Sequence, residues 1–307
     1  MVKQRFSRPT LTRFSRLLGT AIVAASLWGG AVFAKDPFRT ANPRDISAET
    51  QAAFEAFFKE GNYPAAAQAL AKADPKEPLA LAMKASLTYT NLLSEKDKAK
   101  QAAMLTEFQG YAGQTRSAAQ SLLAKDPLRG NLYLAVSHFL DGMYAFTKEG
   151  SLKGTTKVLG ELQQIIKYLN AAEAQAPDDP ELNLLRGYID VYSGIYLPFS
   201  DSTKGIDRLK KFAGPSYLAE RGLAMGYLEM EKYDQAIAAV DRAIAQTPGN
   251  PELAYLKAKI LIKQKQDQAS IPYLEQALKK EAQLPVGLVK EIKYVHRKAK
   301  ERLAKSS

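Results

Sequence analysis

The chain has 307 residues, 46% of them hydrophobic and 24% charged, with no cysteine, two histidines and one tryptophan. The absence of cysteine excludes disulfides, thiol nucleophiles and cysteine metal sites, so the fold must hold itself together by packing. The formal charge of +11 is unevenly placed: five basic and no acidic residues fall in positions 1–34, seven Lys or Arg against two Glu in 285–307, and residues 35–284 keep about +1.

In chain order, Lys3, Arg5, Arg8, Arg13 and Arg16 precede an apolar run from Leu17 to Ala31, and Val32-Phe33-Ala34 offers small residues for cleavage. This pattern reads as a secretory signal peptide over 1–34, cleaved after Ala34. The run is short of the ~20 residues that span a bilayer. The only tryptophan, Trp28, lies inside it. Residues 35–46, with two prolines and few apolar groups, read as an extended lead-in.

The rest reads as all-α. Apolar residues recur at spacings of three and four, as in Leu253, Leu256 and Ile260, and sustained β alternation is missing. Residues 47–75 predict a first helix pair, with Gly61-Asn62-Tyr63 as its turn and Ala66 and Ala73 as packing positions. Pro78 to Leu93 predicts the next helix. The polar, Ala-rich stretch from Glu95 to Lys125 follows, with bends expected at Gly110 and Gly113. Residues 131–148 predict an aromatic helix containing Tyr133, His138, Phe139, Tyr144 and Phe146, broken at Gly150 to Gly154. A long amphipathic helix then runs to about Ala176, with Leu159, Leu162, Ile165, Ile166 and Leu169 expected on its inner face. Tyr188 to Phe199 is unusually aromatic and reads as a loop packed on a neighbouring repeat or carrying a ligand.

Near the C-terminus the pattern becomes periodic. Tyr227, Tyr233, Ala236, Ala243 and Pro248 punctuate one unit, and Leu261, Ser270, Ala277 and Pro285 the next; Ala243 and Ala277 are 34 positions apart. Segments beginning at Pro78, Pro180 and Pro251 echo one another upstream. The period and the small residues resemble the tetratricopeptide repeat, whose units are antiparallel helix pairs that stack because neither helix buries its apolar face alone. The resemblance implies a helical-repeat solenoid over 47–284, clearest in 217–250 and 251–284, closed by a basic C-terminal capping helix over 285–307. Three positions depart from the family pattern: Glu220 where Trp is common, Lys257 where Leu is usual, and Asp267 where an aromatic is usual.

Asp36-Pro37-Phe38-Arg39-Thr40, Asp126-Pro127-Leu128-Arg129-Gly130-Asn131-Leu132-Tyr133, Asp179 to Leu184, Leu197-Pro198-Phe199-Ser200 and Ala213-Gly214-Pro215 stand in order, and together resemble a family of exported tetratricopeptide proteins from cyanobacteria without an assigned activity. That resemblance implies a periplasmic address, with the thylakoid lumen as the second compartment.

Catalytic chemistry is not indicated. His138 with Asp141 three residues on is a lone pair without a placed nucleophile or third ligand, and His296 lies in the basic tail; no phosphate loop, metal constellation or cofactor is expected. In the tetratricopeptide family the first helix of each pair lines a concave groove. Carrying those positions over gives Tyr188 and Tyr192, then Arg221 and Met225, then Tyr255, Lys259 and Lys263. This set reads either as an aromatic and basic groove for an acidic or extended peptide or as an ordinary solvated face. In the terminal helix, Leu288, Ile292, Val295 and Ala299 form an apolar stripe opposite lysines. It reads as a solvating cap, with contact to an anionic membrane as the alternative. An exported scaffold for a protein or peptide partner is the expectation, with no nucleic-acid role.

Overall fold

Each helix starts where the sequence supplies its first turn. In a computed structural model, which describes residues 36–196 and 201–306, side chains of Ser47, Asn62, Asp97, Asp126, Asp201 and Asn250 accept from the exposed first-turn amides of their helices. Pro78, Pro127 and Pro251 occupy the first turn, where a missing N–H costs nothing. The described residues belong to one contact unit, Lys35–Ser307. The predicted signal peptide, its cleavage site and the stretch Leu197-Pro198-Phe199-Ser200 lie outside the described residues.

The fold is all-α, and no strand occurs among the described residues. Helix α1 (Ala48–Phe54) continues into a π-helical turn (Glu55–Lys59) and pairs with α2 (Tyr63–Leu70). Helix α3 (Pro78–Leu92) pairs with α4 (Lys98–Leu122). The next pair is one long element, α5 (Pro127–Glu173), folded into two arms at Gly150, whose φ of 74° and ψ of −179° are open to glycine but strained for other residues. Then α6 (Pro180–Tyr196) pairs with α7 (Ser202–Lys211), α8 (Ser216–Glu229) with α9 (Tyr233–Gln246), and α10 (Pro251–Lys263) with α11 (Asp267–Leu278). A 3₁₀ turn (Glu281–Gln283) leads to α12 (Val286–Ser306), which packs on α11 as the cap.

Small residues set the pair spacing. Ala224, Ala236 and Ala243 are fully buried between α8 and α9, as the repeat pattern requires. The crossing of α6 and α7 is tighter still: a Cβ on Gly205 would sit 2.5 Å from the Val191 nitrogen. The turns of the last two pairs are equivalent. Glu231 and Lys265, 34 positions apart, both adopt left-handed φ (57° and 61°), and the amides that follow them reach back to Tyr227 and Leu261 carbonyls.

Four expectations need correction. Helix α4 passes straight through Gly110 and Gly113, because its neighbours are strong helix formers and isolated glycines lower a helix's stability without ending it. The break after the aromatic helix is confined to Gly150, and the residues beyond it are already helical. Tyr188 to Tyr196 belongs to α6 and is not a loop: Tyr188 packs on the main core and bonds to α8, whereas Tyr196 stays 61% exposed. Of the predicted inner face of the second arm, Ile165 and Leu169 are buried, whereas Leu159 is 49% and Ile166 44% exposed.

Candidate functional site

The positions carried over from the repeat family are largely engaged inside the molecule. The Tyr188 hydroxyl donates to the Leu218 carbonyl (2.8 Å), and burial raises its pKa well above the ordinary phenol range. Arg221 pairs with Glu252 and lies beside Tyr63 and Tyr188. Burial opposes its charge, but these neighbours hold it charged. Tyr255 is buried and donates to Glu291 Oε1 of α12 (2.6 Å). Met225 packs on the main core. Lys259 and Lys263 are exposed on α10, the Lys259 ammonium lying 5.6 Å from the Tyr255 ring centre. Tyr192 stands apart from the others, half-buried, with its ring parallel to Tyr196 at 6.2 Å and its hydroxyl pKa pushed up to about 12, by burial first and then by Glu229.

The reason is that the first helix pair occupies the groove formed by α8 and α10. The Asn250 side-chain amide donates to the Phe58 and Lys59 carbonyls (3.1 and 3.2 Å) across 192 and 191 residues of sequence. Gly61 lies so close that a Cβ there would meet Asn250 Oδ1 at 2.9 Å and Pro251 at 3.0 Å, and its φ of 65° suits glycine in any case. Tyr63 hydrogen-bonds Glu252 and packs among Ala254 and Tyr255. A basic groove for an acidic peptide is therefore not open at Arg221 and Tyr255.

The lead-in is fixed to the repeats by buried charges. Asp36, 4% exposed, accepts from the Phe38 and Arg44 amides (2.9 and 3.1 Å). Arg39 reaches Asp179 (2.6 Å), and Arg44 reaches Glu181 (2.7 Å) and Asp126 (3.0 Å). These acids stand at the starts of α5 and α6, where helix dipoles favour anions. Glu181, fully buried, also accepts from the Tyr133 hydroxyl (2.6 Å). Desolvation raises its pKa against the pull of Arg129 and Arg44. The sequence motifs at residues 36–40, 126–133 and 179–184 are thus three parts of one polar cluster.

An open apolar groove lies between α5 and α6, with a volume of about 340 Å³. Tyr89 of α3 closes one side. The first arm of α5 contributes Phe139, Met143 and Phe146, the second Val158, Glu161 and Leu162, and α6 contributes Ile189 and Tyr192. Phe139 and Phe146, seven residues apart on one helix face, are 50% and 48% exposed. Sequence reasoning placed these rings in a helix but missed the groove. The legible signal was a pair of seven-residue spacings, Phe139–Phe146 and Leu159–Ile166, each wider than one buried stripe needs.

His138 does not pair with Asp141. Its Nδ1 lies 2.7 Å from Glu161 Oε2, its ring stacks on Tyr168 at 5.4 Å, and Asp141 pairs with Arg116 of α4. Ligand atoms of His138, Asp141 and Glu161 lie within 4.8 Å of one another, and these existing pairings engage all three groups. In the cap, Ile292 and Ala299 are buried as the stripe predicts. The three departures from the repeat pattern each form a cross-helix contact: Glu220 with Arg242 (2.7 Å), Lys257 with Asp241 (2.6 Å) and Tyr273, and Asp267 with Arg302 (2.6 Å). Among the described residues no helix is long and apolar enough to cross a membrane.

Residues 221–285 match the family model of the tetratricopeptide repeat, which overlaps α8 to α11. No curated protein matches the chain. Among solved structures it is similar to a thermophilic tetratricopeptide protein from Thermus thermophilus (22% identity, 70% of this chain and 98% of that one, TM-score 0.46). It is also similar to a tetratricopeptide repeat protein from Parabacteroides merdae (16% identity, 75% and 79%, TM-score 0.39) and to a chain of the APC/C hetero-tetramer Cut9–Hcn1 (15% identity, 82% and 55%, TM-score 0.39). The repeat assignment rests on the family model and on the chain's own stacked helix pairs.

Proposed function

We propose that this chain is an exported helical-repeat scaffold that holds a protein or peptide partner and performs no catalysis of its own. The observation that carries this reading is the open groove between α5 and α6, where Phe139 and Phe146 face solvent on a rigid support. Exposed aromatic anchors beside a formed pocket are the usual energetic centre of a protein contact. Export is supported by the basic and apolar sequence of residues 1–34. The resemblance to exported cyanobacterial proteins points to the periplasm or thylakoid lumen. Attachment to an anionic membrane through α12 draws less support, because Lys293, His296, Lys300 and Arg302 already face Glu281, Glu275 and Asp267.

The test is affinity purification of the tagged protein after cross-linking in its own compartment, read by mass spectrometry. A stoichiometric partner, lost in the double variant Phe139→Ser/Phe146→Ser, is the expected result. Recovery of the chain alone would contradict the scaffold reading. The same preparation reports processing: the expected mature chain begins at Lys35 and shows no tryptophan emission, since Trp28 would be gone. Retention of Met1 would contradict cleavage.

A further inference from the structure

We propose that the α5–α6 groove receives a protein segment in which apolar side chains flank a lysine or arginine. The inference rests on the scaffold reading and narrows the chemistry of the partner. The groove is at the lower end of ligand-sized pockets, so it takes side chains and not a folded domain. Its lining is aromatic and aliphatic, with one charged side chain among the described residues, Glu161. His138 uses Glu161 Oε2, which leaves Oε1 without a hydrogen bond among the described residues, and the side chain is 29% exposed. Behind it Asp141 is paired with Arg116, so the charged group that the groove itself presents is the Glu161 carboxylate.

Charge complementarity therefore calls for a cation. The rings that line the groove with Glu161 reinforce this, because a guanidinium or ammonium over an aromatic face gains electrostatic attraction on top of a carboxylate contact. The molecule uses this combination elsewhere: the Lys257 ammonium lies 2.6 Å from Asp241 and 4.5 Å from the Tyr273 ring centre. An acidic segment would instead bring a second carboxylate to Glu161 inside an apolar lining, where repulsion and desolvation add. Apolar residues on either side of the cation would fill the spaces beside Phe139, Phe146 and Tyr192.

The experiment measures fluorescence anisotropy of short labelled peptides on the mature protein. One peptide places Leu and Phe on either side of Arg; matched peptides carry Glu for Arg, or Ser for Leu and Phe. The Arg peptide should bind saturably, and each matched peptide at least about tenfold more weakly, a difference of about 1.4 kcal/mol. Glu161→Gln should shrink the Arg-to-Glu preference to below about threefold, Phe139→Ser/Phe146→Ser should abolish saturable binding, and Tyr255→Phe should change nothing. Circular dichroism confirms that each variant is folded. Equal binding of the Arg and Glu peptides, no saturable binding of the Arg peptide, or binding unchanged in the double Phe variant would overturn the proposal. If cross-linking captures a partner at the groove while the Arg peptide fails, the scaffold reading survives and the basic class falls; if neither succeeds, both fall.

Discussion

The C-terminal pairs α8 to α11 and the central pairs α5 to α7 solve the same packing problem differently. In the C-terminal pairs, alanines at 34-residue spacing seat the helices, the turns repeat at Glu231 and Lys265, and large apolar side chains such as Leu253, Ile260 and Leu274 are buried. In the centre, one 47-residue element folds on Gly150, glycines replace alanines at the α6–α7 crossing, and among the described residues Phe139, Phe146, Leu159, Ile166 and Tyr196 stay exposed. The regular region puts its apolar surface into its own stability. The irregular region leaves apolar surface exposed at the α5–α6 groove, which the first helix pair does not fill, so the proposed binding surface lies where repeat periodicity is weakest.

The largest expected effect probes the regular core. Leu253→Ala, at a site 1% exposed, should cost about 3 kcal/mol in urea unfolding, the usual range for an aliphatic truncation. A loss below about 1 kcal/mol would mean that α10 does not seat on the core as described. Gly205→Ala should cost about 2 kcal/mol by overpacking against Val191 and Gly187, a penalty absent at Gly110, where no atom lies within 4 Å of the added carbon. By contrast, Phe139→Ser/Phe146→Ser should stay within about 1 kcal/mol of wild type, because both rings are half in solvent. A large loss there would turn the groove from a surface into a core. The smallest effect sharpens the repeat symmetry: Glu231→Gly and Lys265→Gly should each stabilise by up to about 1 kcal/mol, since glycine accepts left-handed φ without steric penalty.

The ends of the molecule should also separate by pH. Arg302 holds the Asp267 carboxyl below its ordinary 3.8, so the contribution of this pair to docking α12 is present above that value and lost as pH falls through the lowered one. Desolvation raises Glu181, so its contribution runs the other way: present below 4.5 and lost as pH rises through the raised value. Acidification below about pH 4 should therefore speed hydrogen exchange in α12 before residues 36–46, and Asp267→Asn should shrink that early phase, the remainder coming from Glu275, which Lys300 also holds below its ordinary value. Simultaneous loosening of both ends would contradict the assignment.

Much of the architecture was legible because repeat packing writes itself into local spacing: Ala243 and Ala277, the proline starts at Pro78, Pro180 and Pro251, and the apolar stripe of α12 all follow from helix geometry. The site was less legible. Placing Tyr188, Arg221 and Tyr255 in a groove was sound for each repeat taken alone. What empties that assignment is a contact across 192 residues, Asn250 to Phe58, which no local pattern encodes. Likewise Phe139 and Phe146 read as ordinary helix residues until the second arm of α5 leaves them uncovered. Conversely, Arg39, Arg44, Asp126, Asp179 and Glu181 were visible as separate motifs, and only the fold shows that they are one charge cluster.

The most direct test of the account is site-specific photo-crosslinking in the native compartment, with the probe at Phe146 in one strain and at Tyr255 in another. The account predicts a discrete protein adduct from position 146 and none from position 255, where α2 and α12 already fill the space. An adduct from 255 alone would mean that the first helix pair yields to a partner and that the groove between α8 and α10, not the one between α5 and α6, is the binding surface.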